Sequence, residues 1–285
     1  MKPASFRYHA PKTIEEALAM LAEYAPDDGR VLAGGQSLVP TMAFRLARPH
    51  HLVDINGIEA LRRLAVAEGK LVIGAGVRHQ AFHRPVVEGP LGTLLSAVMR
   101  HIAHYPIRTR GTFCGSVAHA DPASEWCLLA ATLGADMVAR SARGTRVVAA
   151  ADYFQGIMTT ALEPDELLAE VRLPLLSADT RTGFYEFNRR AGDFAMGMAL
   201  VTFRIADGVI AEPHVGVGGA ETHPRRIAAA EALLAGRAPG DASFRAAAAA
   251  ASAAIDPLTD HQTNAEYRRD LVATVTRRAL EQAAG

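Results

Sequence analysis

The stretch Val31-Leu-Ala-Gly-Gly-Gln-Ser-Leu38 joins a short apolar strand to a helix through two adjacent glycines and a serine. Glycine lacks a Cβ, so the backbone there can approach a ligand closely and adopt a positive φ. Consecutive backbone N–H groups before a helix form a site for an anion such as a pyrophosphate. The competing interpretation is a plain strand–turn–helix corner, since Gly-Gly pairs commonly mark turns. The stretch matches neither the G-x-G-x-x-G fingerprint nor the P-loop.

A second glycine-containing stretch extends over residues 108–125, and the overlapping segment 107–121 is predicted to be a long irregular loop. Such loops inside compact domains are usually functional or disordered, and the apolar residues on both sides favour function. Thr112, Gly115 and Ser116 are candidate phosphate ligands. Asp121 or Glu125 could accept hydrogen bonds from ribose hydroxyls.

Two other interpretations of this second stretch are weaker. His119, Asp121 and Glu125 could bind a metal, but their spacing is not that of ligands on a helix or a hairpin. A hydrolytic Ser-His-Asp triad lacks the G-x-S-x-G elbow. A third stretch, Phe184–Ala195, reads as an amphipathic strand with a turn at Gly192, or as a segment that places an aromatic side chain near a cofactor.

The composition is that of an ordinary globular protein, with 49% hydrophobic and 21% charged residues. Thirty basic and thirty acidic residues cancel, which gives no electrostatic reason to expect nucleic acid or an anionic membrane as a partner. The two cysteines, Cys114 and Cys127, are too few for an iron–sulfur cluster or a disulfide scaffold. No signal peptide and no apolar run of membrane-spanning length is recognised, so we expect a cytoplasmic protein.

The order of predicted elements indicates an α+β protein with a boundary near residue 175. The first 55 residues predict a β-α-β arrangement, in which Thr13 and Glu16 have capping-box spacing. Residues 61–74 and 137–148 each predict a hairpin, and 91–102 predict a helix. After Pro174, three strands are predicted between 183 and 217. Three helices follow, at 225–234, 244–255 and 265–283.

Taken together, these stretches resemble the FAD-binding medium subunit of the molybdenum hydroxylases, of the carbon monoxide dehydrogenase type within the xanthine dehydrogenase family. The resemblance covers essentially the whole chain. Each short motif is weak evidence for this family by itself, but the order and spacing of the motifs together are specific. The segments that carry it are Ala33–Ser37, Thr112–Ser116, Ala118–Glu125, Arg189–Asp193, Gly218–Arg226 and Ala265–Leu271.

The resemblance implies a two-subdomain FAD-binding fold of the vanillyl-alcohol-oxidase (PCMH) type over residues 1–175, with subdomains of about 1–56 and 57–175. A smaller α+β domain like that of the carbon monoxide dehydrogenase flavoprotein would occupy 176–285. FAD would lie between the domains, with Glu125 near the adenosine ribose and Tyr185 near the flavin ring. The expected FAD-binding residues are Val31, Leu32, Ala33, Gly34, Gly35, Gln36, Ser37, Leu38, Ile102, Thr112, Phe113, Cys114, Gly115, Ser116, Asp121, Glu125, Leu168 and Tyr185.

The resemblance also implies an electron-transfer role. FAD would receive electrons from the [2Fe–2S] clusters of a small partner subunit and pass them to an external acceptor. A large partner subunit would hold molybdopterin, and the complex would be a dimer of heterotrimers. We expect no metal ligand and no acid–base catalyst in this chain, because the redox chemistry belongs to the cofactor. A stand-alone FAD oxidoreductase would differ by needing no partners.

Two residues depart from the family's second motif. Cys114 replaces the first of two adjacent glycines, and Ser116 replaces an Asn or Asp. These departures motivate the alternative function, a nucleotide-binding regulatory module of the same fold without redox activity. The cysteine-bearing insertion that holds a [4Fe–4S] cluster in the hydroxybenzoyl-CoA reductase branch is absent.

Overall fold

The N-terminal unit is a three-stranded parallel sheet, in a computed structural model that describes residues 2–285. Its elements are β1 (Arg7–His9), α1 (Ile14–Tyr24), β2 (Gly29–Leu32), α2 (Leu38–Ala43) and β3 (His51–Asp54). Strand β3 lies between β1 and β2. The side chain of Thr13 caps α1 by accepting a hydrogen bond from the Glu16 N–H at 3.1 Å, as its spacing predicts.

The second unit is built on a five-stranded antiparallel sheet in the order β4–β5–β10–β6–β7. Its strands are β4 (Leu64–Ala67), β5 (Lys70–Gly74), β6 (Asp136–Ser141), β7 (Gly144–Ala149) and β10 (Leu167–Pro174), with a small hairpin of β8 (Phe154–Gly156) and β9 (Thr159–Thr160). Its helices are α3 (Pro90–Met99), α4 (Tyr105–Arg108), α5 (Phe113–His119), α6 (Glu125–Leu133) and α7 (Ala150–Tyr153).

The C-terminal unit packs three helices on a four-stranded antiparallel sheet in the order β11–β12–β13–β14. The strands are β11 (Arg181–Phe187), β12 (Gly197–Ala206), β13 (Val209–Gly218) and β14 (Arg225–Arg226), and the helices are α8 (Ala228–Leu234), α9 (Asp241–Ala254) and α10 (Ala265–Ala284). No helix within residues 2–285 is both long enough and apolar enough to cross a membrane.

The seam between the second and the C-terminal unit is apolar. Phe184, Met198 and Leu200, which come from β11 and β12, are buried in the same hydrophobic cluster as α3 and α6. The Gly219 N–H donates to the Pro122 carbonyl at 2.8 Å across this seam. The two units therefore share part of one core.

Two predicted boundaries are wrong. The segment 107–121 is not an irregular loop, because it contains α4 and α5. Helix α5 forms because the Thr112 side chain caps it and Phe113 and Val117 bury one face. The helix predicted from Arg225 begins at Ala228, since Arg225–Arg226 pairs with β13 instead.

Candidate cofactor site

The two glycine-containing stretches cross at the edge of the first two units. A Cβ on Gly34 would overlap the Arg110 carbonyl and would lie 2.6 Å from the Gly111 Cα. A Cβ on Gly115 would lie 3.8 Å from the Ala33 Cβ. The crossing is thus a close backbone contact that requires glycine at Gly34. We refer to residues 33–38 and 110–116 as the crossing loops.

The first crossing loop presents a run of free donors. No acceptor within residues 2–285 receives a hydrogen bond from the backbone N–H groups of Gly34, Gly35, Gln36, Ser37 or Leu38. Gly35 has a φ of +70°, so the chain turns there before α2. On the other loop, Thr112 Oγ1 accepts from the Gly115 N–H at 3.0 Å. Such an array of unpartnered N–H groups fits a diphosphate.

A polar clamp that sequence reasoning missed holds the crossing loops together. Asn56 Nδ2 donates to the Ala33 carbonyl at 2.7 Å, and the Arg78 guanidinium donates to both Asn56 Oδ1 and the Arg110 carbonyl. The His79 N–H donates to the Gly111 carbonyl at 2.9 Å. No motif in the sequence marks these residues, because each contact joins segments more than 20 residues apart.

The clamp also places positive charge beside the crossing. Burial lowers the pKa of Arg78, and the nearby charges of Arg62 and Arg110 lower it further. Arginine nevertheless stays protonated in proteins. The group of guanidinium charges therefore favours an anionic ligand at this edge of the molecule.

Phe113 and Cys114 turn their side chains into the core. The Phe113 ring packs on Trp126 with centroids 4.7 Å apart, and Cys114 Sγ donates to the Ile73 carbonyl at 3.3 Å. Both residues can therefore offer a ligand only their backbone. The replacement of a family glycine by Cys114 is accommodated in the interior, whereas Ser116 is partly exposed.

The remaining predicted residues lie at different distances from the crossing. Glu125 begins α6, and burial, with the charge of Glu186 next, raises its pKa to about 8. Ile102 is buried, and its carbonyl accepts from Arg108 Nε at 2.6 Å. Leu168 is buried in β10 beside an irregularity in its pairing with β6. The structure does not bring Tyr185 to this group.

Tyr185 lies on the opposite face of β11 from the seam. Its hydroxyl receives a hydrogen bond from Arg278 of α10, whose guanidinium also lies 5.0 Å from the ring centroid. Its neighbours Phe184 and Glu186 point towards the second unit instead, where each contacts His101. Successive side chains along a strand point to opposite faces of the sheet, so Tyr185 has different surroundings from its two neighbours.

Comparison with known proteins agrees with this geometry. Residues 4–176 match the family described as the FAD binding domain in molybdopterin dehydrogenase, and residues 182–283 match the carbon monoxide dehydrogenase flavoprotein C-terminal domain. The chain is an FAD-binding subunit of the molybdopterin dehydrogenase family. The predicted family is therefore confirmed.

Individual relatives match over nearly their whole length. The chain is 37% identical to the caffeine dehydrogenase subunit beta of Pseudomonas sp. (strain CBB1), covering 100% of this chain and 96% of that one. It is 36% identical to the nicotine 6-hydroxylase medium subunit of Paenarthrobacter nicotinovorans, covering 99% of each. A solved carbon monoxide dehydrogenase of Hydrogenophaga pseudoflava, which lacks the Mo-pyranopterin moiety, matches with a TM-score of 0.95 and 35% identity over 100% of this chain and 99% of that one.

These matches confirm the predicted α+β fold class and the assignment to the oxidoreductases. FAD is the cofactor of this FAD-binding subunit. The crossing loops fit it, because their close glycine contact and free N–H groups leave a cradle for the diphosphate. Within residues 2–285, no three His, Cys, Asp or Glu side chains are grouped as metal ligands would be.

Proposed function

We propose that this chain carries FAD and transfers electrons within a molybdenum hydroxylase complex. A small partner subunit with [2Fe–2S] clusters would deliver the electrons, and an external acceptor would remove them. A large molybdopterin subunit would oxidise the substrate, and the whole would form a dimer of heterotrimers. Related subunits carry the names of caffeine dehydrogenase, nicotine 6-hydroxylase and carbon monoxide dehydrogenase, which supports a multi-subunit enzyme.

The observation that carries this proposal is the preformed crossing of the two loops. Five consecutive N–H groups without an acceptor, beside clustered arginines, are arranged for a dinucleotide diphosphate. The Gly219–Pro122 hydrogen bond of the seam lies three residues after the end of α5, so a ligand bound at the crossing can extend towards the seam. The proposed contacts at the crossing are those of the residues from Val31 to Leu38 and from Thr112 to Ser116.

The same structure weakens the regulatory alternative. That alternative depends on Cys114 and Ser116, yet Cys114 Sγ is directed to the core, away from the crossing. The family matches over 4–176 and 182–283 support our proposed division into domains at 1–175 and 176–285.

Two measurements test the proposal. The purified chain, once denatured, should release FAD in a one-to-one ratio. In the assembled complex without oxygen, adding substrate should bleach first the iron–sulfur absorbance and then the flavin absorbance. Iron–sulfur centres that become reduced while bound FAD stays oxidised would refute the electron-transfer role, even though FAD binding itself stood.

A further inference from the structure

The two crossing loops touch at Gly34 and Gly111, yet no hydrogen bond joins one loop directly to the other within residues 2–285. Contact between a few atoms does not fix the separation of two loops, because each atom pair contributes little attraction. A diphosphate bound at the crossing needs that separation to be fixed, since an N–H···O hydrogen bond forms only over about 2.7–3.2 Å. Another part of the chain must therefore set it.

The clamp connects the loops through the side chains of Asn56 and Arg78. Asn56 Nδ2 donates to the Ala33 carbonyl at 2.7 Å, at the start of the first loop. The Arg78 guanidinium donates through Nη2 to Asn56 Oδ1 and through Nη1 to the Arg110 carbonyl, at the start of the second loop. These three hydrogen bonds form a series, so the loss of either side chain breaks the whole connection.

The clamp is anchored in the first two units of the fold. Asn56 follows β3, where its backbone N–H donates to Asp54 Oδ1 at 2.8 Å. Arg78 follows β5, and its backbone pairs with Thr112 of the second loop in an isolated antiparallel bridge. The hydrogen bond between the two side chains is therefore a contact between the two units. Side chains held in this way by ordered backbone are suited to fixing the geometry of a binding site.

Arg78 also carries a charge that no residue in contact with it neutralises. Both of its acceptors are uncharged, one an amide oxygen and the other a backbone carbonyl. Arg62 pairs with Glu59 at 3.0 Å, whereas no Asp or Glu within residues 2–285 forms an ion pair with Arg78. Asp54 acts on its pKa, but only from beyond ion-pair distance. A phosphate group is the kind of anion that a guanidinium in this setting attracts.

We propose that Asn56 and Arg78 are positioning residues for the diphosphate of FAD. Through the Ala33 and Arg110 carbonyls they fix the spacing of the crossing loops, and the charge of Arg78 adds to the attraction for the phosphates. This inference rests on the proposed function, in which FAD binds at the crossing. It gives a part in cofactor binding to two residues that lie outside both glycine-containing stretches.

The test measures the FAD affinity of variants of the full chain by fluorescence quenching. Asn56→Ala breaks the series and should weaken FAD binding by about 10-fold, on the order of one hydrogen bond to a charged group. Arg78→Lys keeps the charge but cannot span both acceptors with one planar fork, so it should lose about as much. Arg78→Ala loses the charge as well and should bind FAD more weakly than either. The matched control is the exposed Arg63→Ala, whose native side chain has no hydrogen bond or ion pair within residues 2–285; it should keep the wild-type affinity.

Two further measurements distinguish positioning from a general loss of structure. The double variant of Asn56→Ala and Arg78→Ala should bind FAD no more weakly than Arg78→Ala alone, because the series is already broken in the single variant. At saturating FAD, the phosphorus-31 resonances of the bound diphosphate should shift in Asn56→Ala and stay unchanged in the control. A side chain that only stabilised the fold would leave these resonances where they are.

A cavity beside the clamp permits a chemical rescue. It has a volume of about 330 Å³, and its lining includes Arg62, Gly76, Arg78 and Gln80. Truncation of Arg78 therefore opens the place of its guanidinium to a small ion. Guanidinium added at low concentration should restore part of the FAD affinity of Arg78→Ala, whereas sodium at the same concentration should not.

Three results would overturn the inference. One is wild-type FAD affinity in both Asn56→Ala and Arg78→Lys. Another is a double variant whose loss of affinity equals the product of the two single losses, and the third is an unchanged phosphorus spectrum in Asn56→Ala. If Arg78→Ala fails to fold, Asn56→Ala and Arg78→Lys still decide between these outcomes. A wild-type chain that binds no FAD would instead refute the proposed function.

Discussion

Gly34 touches Gly111 where the crossing loops meet, and this contact leaves no room for a side chain. We therefore expect Gly34→Ala to push the loops apart and to weaken FAD binding by about 10-fold or more. The overpacking should also lower the free energy of unfolding by about 1–3 kcal/mol. FAD titration by fluorescence quenching and urea unfolding measure the two effects.

Gly240 is the matched control for that substitution. It precedes α9 with an extended backbone, and a Cβ there would have nothing within 4 Å. Gly240→Ala should change the unfolding free energy by no more than about 0.5 kcal/mol and leave FAD affinity as it is. Wild-type FAD affinity in Gly34→Ala would show that the diphosphate does not lie at the crossing.

His79 gives the fold a pH dependence. Its Nδ1 accepts from Trp126 Nε1 at 3.0 Å, and burial lowers its pKa from 6.5 to about 4. The unfolded chain therefore binds a proton more readily than the folded one between these two values. The stability that neutral His79 contributes is complete above pH 6.5 and is lost as the pH falls towards 4, by about 2 kcal/mol at pH 5.

Urea unfolding at pH 7.5 and pH 5 checks this expectation in the wild type and in His79→Gln. Gln can accept from the indole N–H but does not titrate, so the variant should lose about 2 kcal/mol less than the wild type over this range. Equal losses in both proteins would mean that other groups cause the acid sensitivity.

At the scale of elements, local signals account for what could be predicted. The capping spacing of Thr13 and the apolar residues behind it predicted α1, and the turn residues at Gly69 predicted the β4–β5 hairpin. Helix α5 was missed because its small and polar residues resemble a loop. Thr112, three residues before Gly115, was the available sign of a helix start.

The candidate site was predicted only in part, for a related reason. The glycine pair and the Thr112 stretch have local sequence patterns, so both could be proposed as ligand loops. Asn56 and Arg78 act through contacts between distant segments, and Glu186 meets His101 only because β11 packs against α3. Such pairings arise from the packing of the units, so they leave no periodicity or residue spacing in the sequence.

Helices α5 and α6 enclose the two cysteines of the chain. Cys114 Sγ donates to the Ile73 carbonyl at 3.3 Å and Cys127 Sγ to the Ser116 carbonyl at 3.4 Å. Burial raises the pKa of Cys127 to about 12 and raises the pKa of Cys114 as well. Because only thiolates react rapidly, Ellman's reagent should label neither thiol in the folded protein and both after denaturation. Prompt labelling of the native chain would contradict the buried arrangement of these helices.

At the scale of the whole molecule, the seam makes the second and C-terminal units depend on each other. Phe184 packs edge-on against His101 with ring centroids 5.0 Å apart, and Met198 and Leu200 complete the cluster around α3 and α6. Removing the C-terminal unit would expose this apolar surface to water at a cost of about 25 cal/mol for each Å².

Residues 1–176, produced alone, should therefore be less stable than the full chain even though they contain both crossing loops. We expect a lower melting temperature, binding of a hydrophobic dye, and FAD affinity reduced by about 10-fold or more, since the seam that would enclose one end of the cofactor is lost. The full chain is the control and should unfold in a single transition. FAD at 100 times its Kd should raise the free energy of unfolding of the full chain by about 2.7 kcal/mol. A fragment that melts like the full chain and binds FAD equally well would mean that the seam only joins two independent units. In that event the crossing loops alone would account for cofactor binding.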